Sequence, residues 1–139
     1  MTAELAISAM TLDDYDDVVA LWRSSANLGE VETRDEIAAF LQRNPGFSPL
    51  ARLEGRLVGA ALCGHDGRRG YLAHVAVAAE LRRRGVAQQM VRFCLDRLTE
   101  IGIPRASIHI YVANDDGQHF WRGAGWRERT DLKVYSYDL

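Results

Sequence analysis

YLAHVAVAAELRRRGVAQQMVRFCLDRL, residues 71–98, is the stretch from which the fold of this chain can be read. Tyr71, Ala73, Val75 and Val77 alternate with Leu72, His74 and Ala76, the two-residue period of a strand. Val86, Met90, Cys94, Leu98 and Ile101 then recur at helical spacing, and Val91 and Leu95 widen the apolar stripe enough to cover a sheet. Between them lies Arg82-Arg83-Arg84-Gly85-Val86-Ala87, three cations and a glycine at the helix entry. A helix N-terminus presents unpaired backbone N–H groups and the positive end of the dipole, and so attracts anions. Gly85 lets the backbone approach a ligand closely, and Ala87 keeps the first turn free of bulk. The stretch reads as a phosphate-binding strand–loop–helix. It lacks the Gly-Lys-Ser/Thr of a Walker loop and the three spaced glycines of a dinucleotide fingerprint.

The 139 residues suit a single domain, 1–139, with its own core. A composition of 47% hydrophobic and 26% charged residues is that of an ordinary globular protein. The formal net charge of -2 gives no global pull toward nucleic acid or membrane. No apolar run reaches the roughly 20 residues of a membrane span. The N-terminal MTAELAISAM has no basic region and does not read as a signal peptide. Cys63 and Cys94 fall among apolar neighbours, which predicts buried reduced thiols, no metal site and a cytoplasmic protein.

In chain order, Leu5–Met10 reads as a first strand and Thr11-Leu12-Asp13-Asp14 as the capped, acidic start of a helix. A polar break at 24–31 precedes a second helix over Thr33–Leu41, ended by Asn44-Pro45-Gly46. Strands at Leu50–Leu53 and Leu57–Cys63 join at Glu54-Gly55, and Asp66-Gly67 turns the chain into the central strand. These three strands form an antiparallel meander. Gly102 and Pro104 end the long helix. Ala106, Ile108, Ile110 and Val112 predict a fifth strand, Asn114-Asp115-Asp116 a short helix, and Trp126–Leu139 a closing strand, with Asp131 the place where it could break. The order is βααβββαβαβ. The strand–helix–strand crossover makes the fourth and fifth strands parallel, and ligands in such sheets gather at the strands' carboxyl ends. Arg82–Gly85 and Asn114 both fall there.

Arg82-x-x-Gly85-x-Ala87 after a hydrophobic strand resembles the acetyl-CoA loop of the GNAT N-acetyltransferases. Asn114-Asp115-Asp116-Gly117-Gln118-His119-Phe120-Trp121-Arg122-Gly123-Ala124-Gly125-Trp126 resembles that family's second motif. Gly64–Tyr71 further looks like its small stand-alone bacterial members, called YpeA-like. The resemblance covers essentially the whole chain. It implies an α/β GNAT fold with a mixed six- to seven-stranded sheet, about four helices, and parallel fourth and fifth strands splayed at the cofactor. It also implies transfer of an acetyl group from acetyl-CoA to a primary amine, on a small molecule or on a protein N-terminus or lysine. On the matching positions, the backbone of Val75, Ala76 and Val77 would pair with the pantetheine arm. Arg82, Arg83, Arg84, Gly85, Val86, Ala87 and Gln88 would hold the pyrophosphate. Asn114 would bond the pantetheine or acyl group, and Phe120 or Trp121 would pack on the thiol end.

The chemistry needs an oxyanion donor, a base and a proton for sulfur. Many family members carry a tyrosine as the acid four residues before the glycine of the second motif, where this chain has Trp121. An indole cannot serve. Tyr111 on the fifth strand is the candidate acid, and His74 or a water the base. The position that holds a glutamate in histone-acetylating relatives is Tyr71, which strand parity sets on the face opposite His74 unless a bulge reverses it. His74, Tyr71 and Tyr111 also have a plain reading as packing residues. Glu30 and Glu32, in the loop between the first two helices, could attract a cationic amine, as could Asp131. Two rival readings are a non-catalytic acetyl-CoA sensor or partner module and a nucleic-acid-binding domain. Net charge counts against the second. Val134, Tyr135 and Tyr137 on an exposed final strand could pair across a homodimer.

Overall fold

The computed structural model describes residues 4–139. They fall into two compact units, a first running to His109 and a second from Ile110 to Leu139.

The first unit is built on a five-stranded sheet of order β1-β2-β3-β4-β5. Its strands are β1 (Leu5–Ala9), β2 (Pro49–Leu53), β3 (Arg56–His65), β4 (Gly70–Val77) and β5 (Ala106–Ile108). The first four run antiparallel and β5 is parallel to β4. Helices α1 (Tyr15–Arg23) and α2 (Arg34–Arg43) cover one face, and α3 (Val86–Glu100) the other. Val18, Trp22 and Ile37 pack with Leu50, Ala60, Leu62 and Ala76 on the first face. Val86 and Met90 pack with Ala51 and Val58 on the second. A short 3₁₀ turn, Ala79–Leu81, separates β4 from the arginines.

Local chemistry sets the helix ends. Thr33 Oγ1 accepts from Glu36 N–H at 3.2 Å, while Glu36 Oε1 accepts from Thr33 N–H at 3.0 Å, so two otherwise unpaired donors at the start of α2 are satisfied together. Asp14, just ahead of α1, accepts from Arg52 Nη2 on β2 at 2.7 Å and from Thr11 N–H at 2.9 Å. Partial burial pushes its carboxyl pKa up, but those bonds outweigh it and hold the pKa below the usual value.

Two register shifts break the pleat, one in each hairpin that β3 makes. In the second, Leu62 faces Ala73 and Ala60 faces Ala76, so β4 carries one residue more than β3 between them. This is a β-bulge, with His74 at φ +52° in the left-handed region. Ala73, His74 and Ala76 consequently lie toward α1 and α2, and Val75 and Val77 toward α3. A Cβ on Gly70 would meet Leu98 Cδ1 of α3 at 2.6 Å, so Tyr71, its neighbour in the alternation, points to the α1–α2 face. The bulge therefore reverses the parity expectation: Tyr71 and His74 share a face.

In the second unit, α4 (Asp115–Gly123) begins behind Asn114, whose Oδ1 accepts from Gly117 N–H at 2.9 Å. Trp121 is buried and meets Phe120 and Trp126 edge to face, with ring centres 5.0 and 4.5 Å apart.

Two strand expectations fail. The fifth strand stops at Ile108, and Trp126–Leu139 adopts no strand conformation, so the sheet has five strands rather than six or seven. A turn at Thr130–Asp131 interrupts the predicted closing strand. Asp131 accepts from Arg129 Nε and Nη2 at 3.0 Å each, and this fork lowers its pKa to about 2. Beyond the turn, Leu132, Val134, Tyr135, Tyr137 and Leu139 are exposed, so the alternation there buries no face.

Candidate active site

Parallel pairing of β4 with β5 covers only Gly70, Tyr71 and Leu72. From Ala73 onward that edge of β4 is free of β5. Ala78 N–H donates to Val58 O on β3 at 2.8 Å. Because backbone groups alternate sides, Ala76 is also directed at β3, and Val75 and Val77 present their N–H and C=O to the open edge. Of the three positions expected to pair with an extended ligand, Val75 and Val77 are available. Ala76 is engaged by β3.

The open edge leads into the arginine loop. Arg82, Arg83 and Arg84 are exposed, Arg83 sits at φ +64° and Gly85 at φ +80°, ψ +9°. Left-handed residues alternating with ordinary ones turn successive backbone N–H groups toward one side and form an anion-binding concavity. Gly85 supplies no side-chain cap to α3, and the first turn of α3 carries no acidic residue. The helical ladder begins with Gln89 N–H donating to Gly85 O at 3.1 Å, which leaves the N–H groups of Val86, Ala87 and Gln88 ahead of it. A Cβ on Gly85 would meet nothing nearer than Gln88 Oε1 at 4.0 Å, so the space before those donors is open. A groove of about 490 Å³ starts there and runs along α3 past Gln88, Gln89, Arg92 and Phe93. Donors, cations and free space fit a pyrophosphate.

His74, with a side chain only 11% exposed, lies where β4 leaves β5. The Trp22 ring of α1 packs on it at 5.0 Å. Its Nε2 bonds both carboxylate oxygens of Glu32, at 2.8 and 3.1 Å. The sequence offered no sign of this pairing. Glu32, expected from the sequence to attract a cationic amine, is held against His74. Tyr15 fixes it there, its hydroxyl donating to Glu32 O at 2.9 Å. Glu30 is exposed and lines a separate pocket of about 400 Å³ with Trp22, Arg23, Ser25, Gly29 and Val31.

The other expected residues are placed less favourably. Tyr71 is 42% exposed, lies in the paired part of β4, and donates to Asp66 Oδ2 in the β3–β4 turn at 3.4 Å. That draws it toward the hairpin end and away from the open edge. Tyr111 is 58% exposed and follows the end of β5, so it is not a strand residue. Asn114 spends its carbonyl oxygen on capping α4, which leaves its NH₂ group for a ligand. Trp121 is a core side chain of the second unit. Cys63 and Cys94 are buried and free, and the bond from Cys63 together with burial pushes the Cys94 thiol pKa well up, so it stays protonated. Among the described residues no three His, Cys, Asp or Glu side chains gather as metal ligands, and no helix is long and apolar enough to cross a membrane.

A profile of the acetyltransferase (GNAT) family matches residues 15–126, from the start of α1 to the aromatic after α4. The chain belongs to the GNAT acetyltransferase family. Membership makes it an acetyl-CoA-dependent N-acetyltransferase. An acetyltransferase of Photorhabdus laumondii is 28% identical over 112 residues, covering 80% of this chain and 78% of that protein. One of Pectobacterium atrosepticum is 29% identical over 105 residues, covering 75% and 73%. Among solved structures, the aminoglycoside N-acetyltransferase AAC(6')-Iy in complex with CoA superposes with a TM-score of 0.81 at 19% identity, covering 100% of this chain and 98% of that one. A ribosomal-protein-alanine N-acetyltransferase of Brucella melitensis gives 0.75 at 19% identity, covering 97% and 99%. At such identities these structures speak for the fold.

Proposed function

We propose that this N-acetyltransferase moves the acetyl group of acetyl-CoA to a primary amine by direct attack in a ternary complex, with His74 as base. The observation that carries the reading is the continuous path from the unpaired edge at Val75 and Val77 to the uncapped N-terminus of α3. The edge suits the amides of a pantetheine arm, and the N–H groups of Val86, Ala87 and Gln88 with Arg82–Arg84 suit the phosphates. An alkyl ammonium, with a pKa of about 10.4, must lose a proton before attack. In this reading His74 takes it. The nitrogen lone pair then forms the C–N bond to the thioester carbon, and a β4 backbone N–H at the splay receives the developing oxyanion. As the carbonyl re-forms, the C–S bond breaks with its electron pair going to sulfur, and the acylated nitrogen gives its second proton to water. The thiolate takes a proton from water, so one proton is released in all for each acetyl group moved.

Aminoglycosides and a ribosomal-protein alanine, the acceptors named for two of the similar structures, both offer amines. Exposed Glu30 in the pocket beside α1 would favour a cationic acceptor here. Reduced cysteines and a donor made inside the cell support a cytoplasmic enzyme, and the net charge of -2 supports neither nucleic acid nor membrane as a partner.

The test is release of free CoA thiol with sisomicin, an alanine-terminated peptide and a set of polyamines as acceptors, run beside thermal unfolding with acetyl-CoA. Turnover with any of these amines that is lost in Gly85→Glu supports the proposal. Stabilisation by acetyl-CoA without amine-dependent thiol release from any acceptor in the set would refute the assignment to amines of these classes.

A further inference from the structure

We propose that Glu32 is a positioning residue that fixes the tautomer of His74, so that Nδ1 is the proton-accepting atom. This rests on the reading of His74 as the base. An ionised carboxylate only accepts hydrogen bonds. With both Glu32 oxygens at 2.8 and 3.1 Å from Nε2, that nitrogen must carry the hydrogen. Nδ1 makes no hydrogen bond among the described residues and keeps its lone pair, since the bond at one ring nitrogen decides the state of the other.

Three features make the arrangement a held one rather than a chance contact. The Trp22 ring lies 5.0 Å from the imidazole and limits its rotation. Glu32 is anchored through its own carbonyl by Tyr15, whose ring is covered by the Arg34 guanidinium at 5.6 Å. It also immediately precedes Thr33, where the reciprocal cap stiffens the chain. The bulge completes the geometry. In a regular strand His74 would face away from the neighbour of Gly70 in the alternation, whereas at φ +52° it turns onto the α1–α2 face where Glu32 lies. When Nδ1 takes a proton from the ammonium, the imidazolium formed is paired with the Glu32 carboxylate. Releasing that proton to water restores the Nε2–H tautomer with no rearrangement. Glu32 therefore serves the base and is not free to bind the acceptor's charge.

The experiment has two arms. Nitrogen-15 NMR of histidine-labelled protein reads the tautomer without any acceptor, with His74 assigned by loss of its signal in His74→Gln. His65 is an internal control, because its Nδ1 accepts from Gly67 N–H at 3.0 Å and should be unaffected. Wild type should show His74 protonated at Nε2, and Glu32→Ala should mix the tautomers while His65 stays put. Kinetics with the best acceptor from the panel should show kcat falling about 10- to 100-fold in Glu32→Ala, a part of what a base supplies. The KM for the amine should stay within about twofold, and Glu32→Gln, whose amide oxygen still accepts, should restore part of kcat. A wild-type Nδ1–H tautomer, or an unchanged tautomer in Glu32→Ala, overturns the proposal. So does a raised amine KM at preserved kcat, which would make Glu32 a substrate contact. Unchanged turnover in His74→Ala removes the base reading itself, an outcome separate from a Glu32 variant that behaves as wild type while His74→Ala is inactive.

Discussion

Gly85→Ala adds one methyl group where two properties of the loop meet, and the two can be measured apart. At φ +80° an L-residue with a Cβ is strained by about 1–2 kcal/mol. The methyl itself meets nothing closer than 4.0 Å, so no packing clash adds to that. For 139 residues the unfolding entropy is about 0.3 kcal/mol/K, which turns the strain into a fall in Tm of about 3–7 °C without ligand. The methyl also projects into the space before the N–H groups of Val86, Ala87 and Gln88. Acetyl-CoA at 100 times its Kd should stabilise the wild type by about 2.7 kcal/mol, or about 9 °C. A tenfold loss of affinity at the same concentration leaves about 1.4 kcal/mol, or about 5 °C. Differential scanning fluorimetry with and without acetyl-CoA reads both quantities. Gly85→Asn separates them further, since Asn tolerates the left-handed region but still fills the space. It should recover most of the unliganded Tm and none of the binding. A lower unliganded Tm combined with a full wild-type ligand shift would refute the assignment of those donors to the phosphates. An unchanged unliganded Tm would contradict the left-handed conformation of Gly85.

Three further outcomes follow from the packing and the charges. Thr33→Ala removes the hydroxyl half of the α2 cap and should cost about 1 kcal/mol by chemical denaturation. Stability should fall on acidification: the N–H groups of Arg69 and Arg68 lower the Asp66 pKa, Thr33 lowers that of Glu36, and the bonds described above lower that of Asp14. Carboxylates whose native pKa is lowered contribute fully above the ordinary range, about pH 4–4.5, and lose that contribution as pH falls through their native values. Asp14→Asn should therefore flatten the acid limb of a Tm-against-pH curve, and an unchanged limb would exclude the Arg52 pair as a contributor. His74→Ala and His74→Gly should be equally inactive, yet Gly, unstrained at φ +52°, should be the more stable by about 1 kcal/mol. Equal stabilities would argue against the bulge geometry.

Much of this architecture was legible in the chain because it is written locally. Thr33 with Glu36, Gly85 before an apolar helical stripe, and Gly102 with Pro104 behind it each mark an end through contacts within a few residues. The meander followed from turn residues and alternation. The fifth strand and the closing segment misled because alternation records only that one side is more apolar; whether any partner covers it is not a local property, and Tyr135 and Tyr137 prove exposed. Parity failed at Tyr71 and His74 since it presumes an unbroken pleat. The pairing of Glu32 with His74 spans 42 residues and leaves no spacing to detect. The loop and bare helix start proposed as the donor site were thus readable from sequence, being backbone geometry fixed by glycine and a helix start. His74 was singled out there as well, but its pairing with Glu32, a meeting of distant side chains, was not.

The extra residue in β4 is also a phase change in the strand. Before it, Gly70 and Leu72 are set against α3, and after it Val75 and Val77 are. Odd and even positions trade places midway. Deleting His74 alone would restore a plain two-residue rhythm with each remaining residue on its present face, Ala73 and Ala76 beside Trp22 and Val75 and Val77 against α3. A one-residue deletion there should thus keep both layers of the sheet in phase while removing the bulge together with the imidazole, whereas a point substitution at the same place removes only the imidazole. This makes the spacing of β4 as much a part of the active site as any side chain it carries.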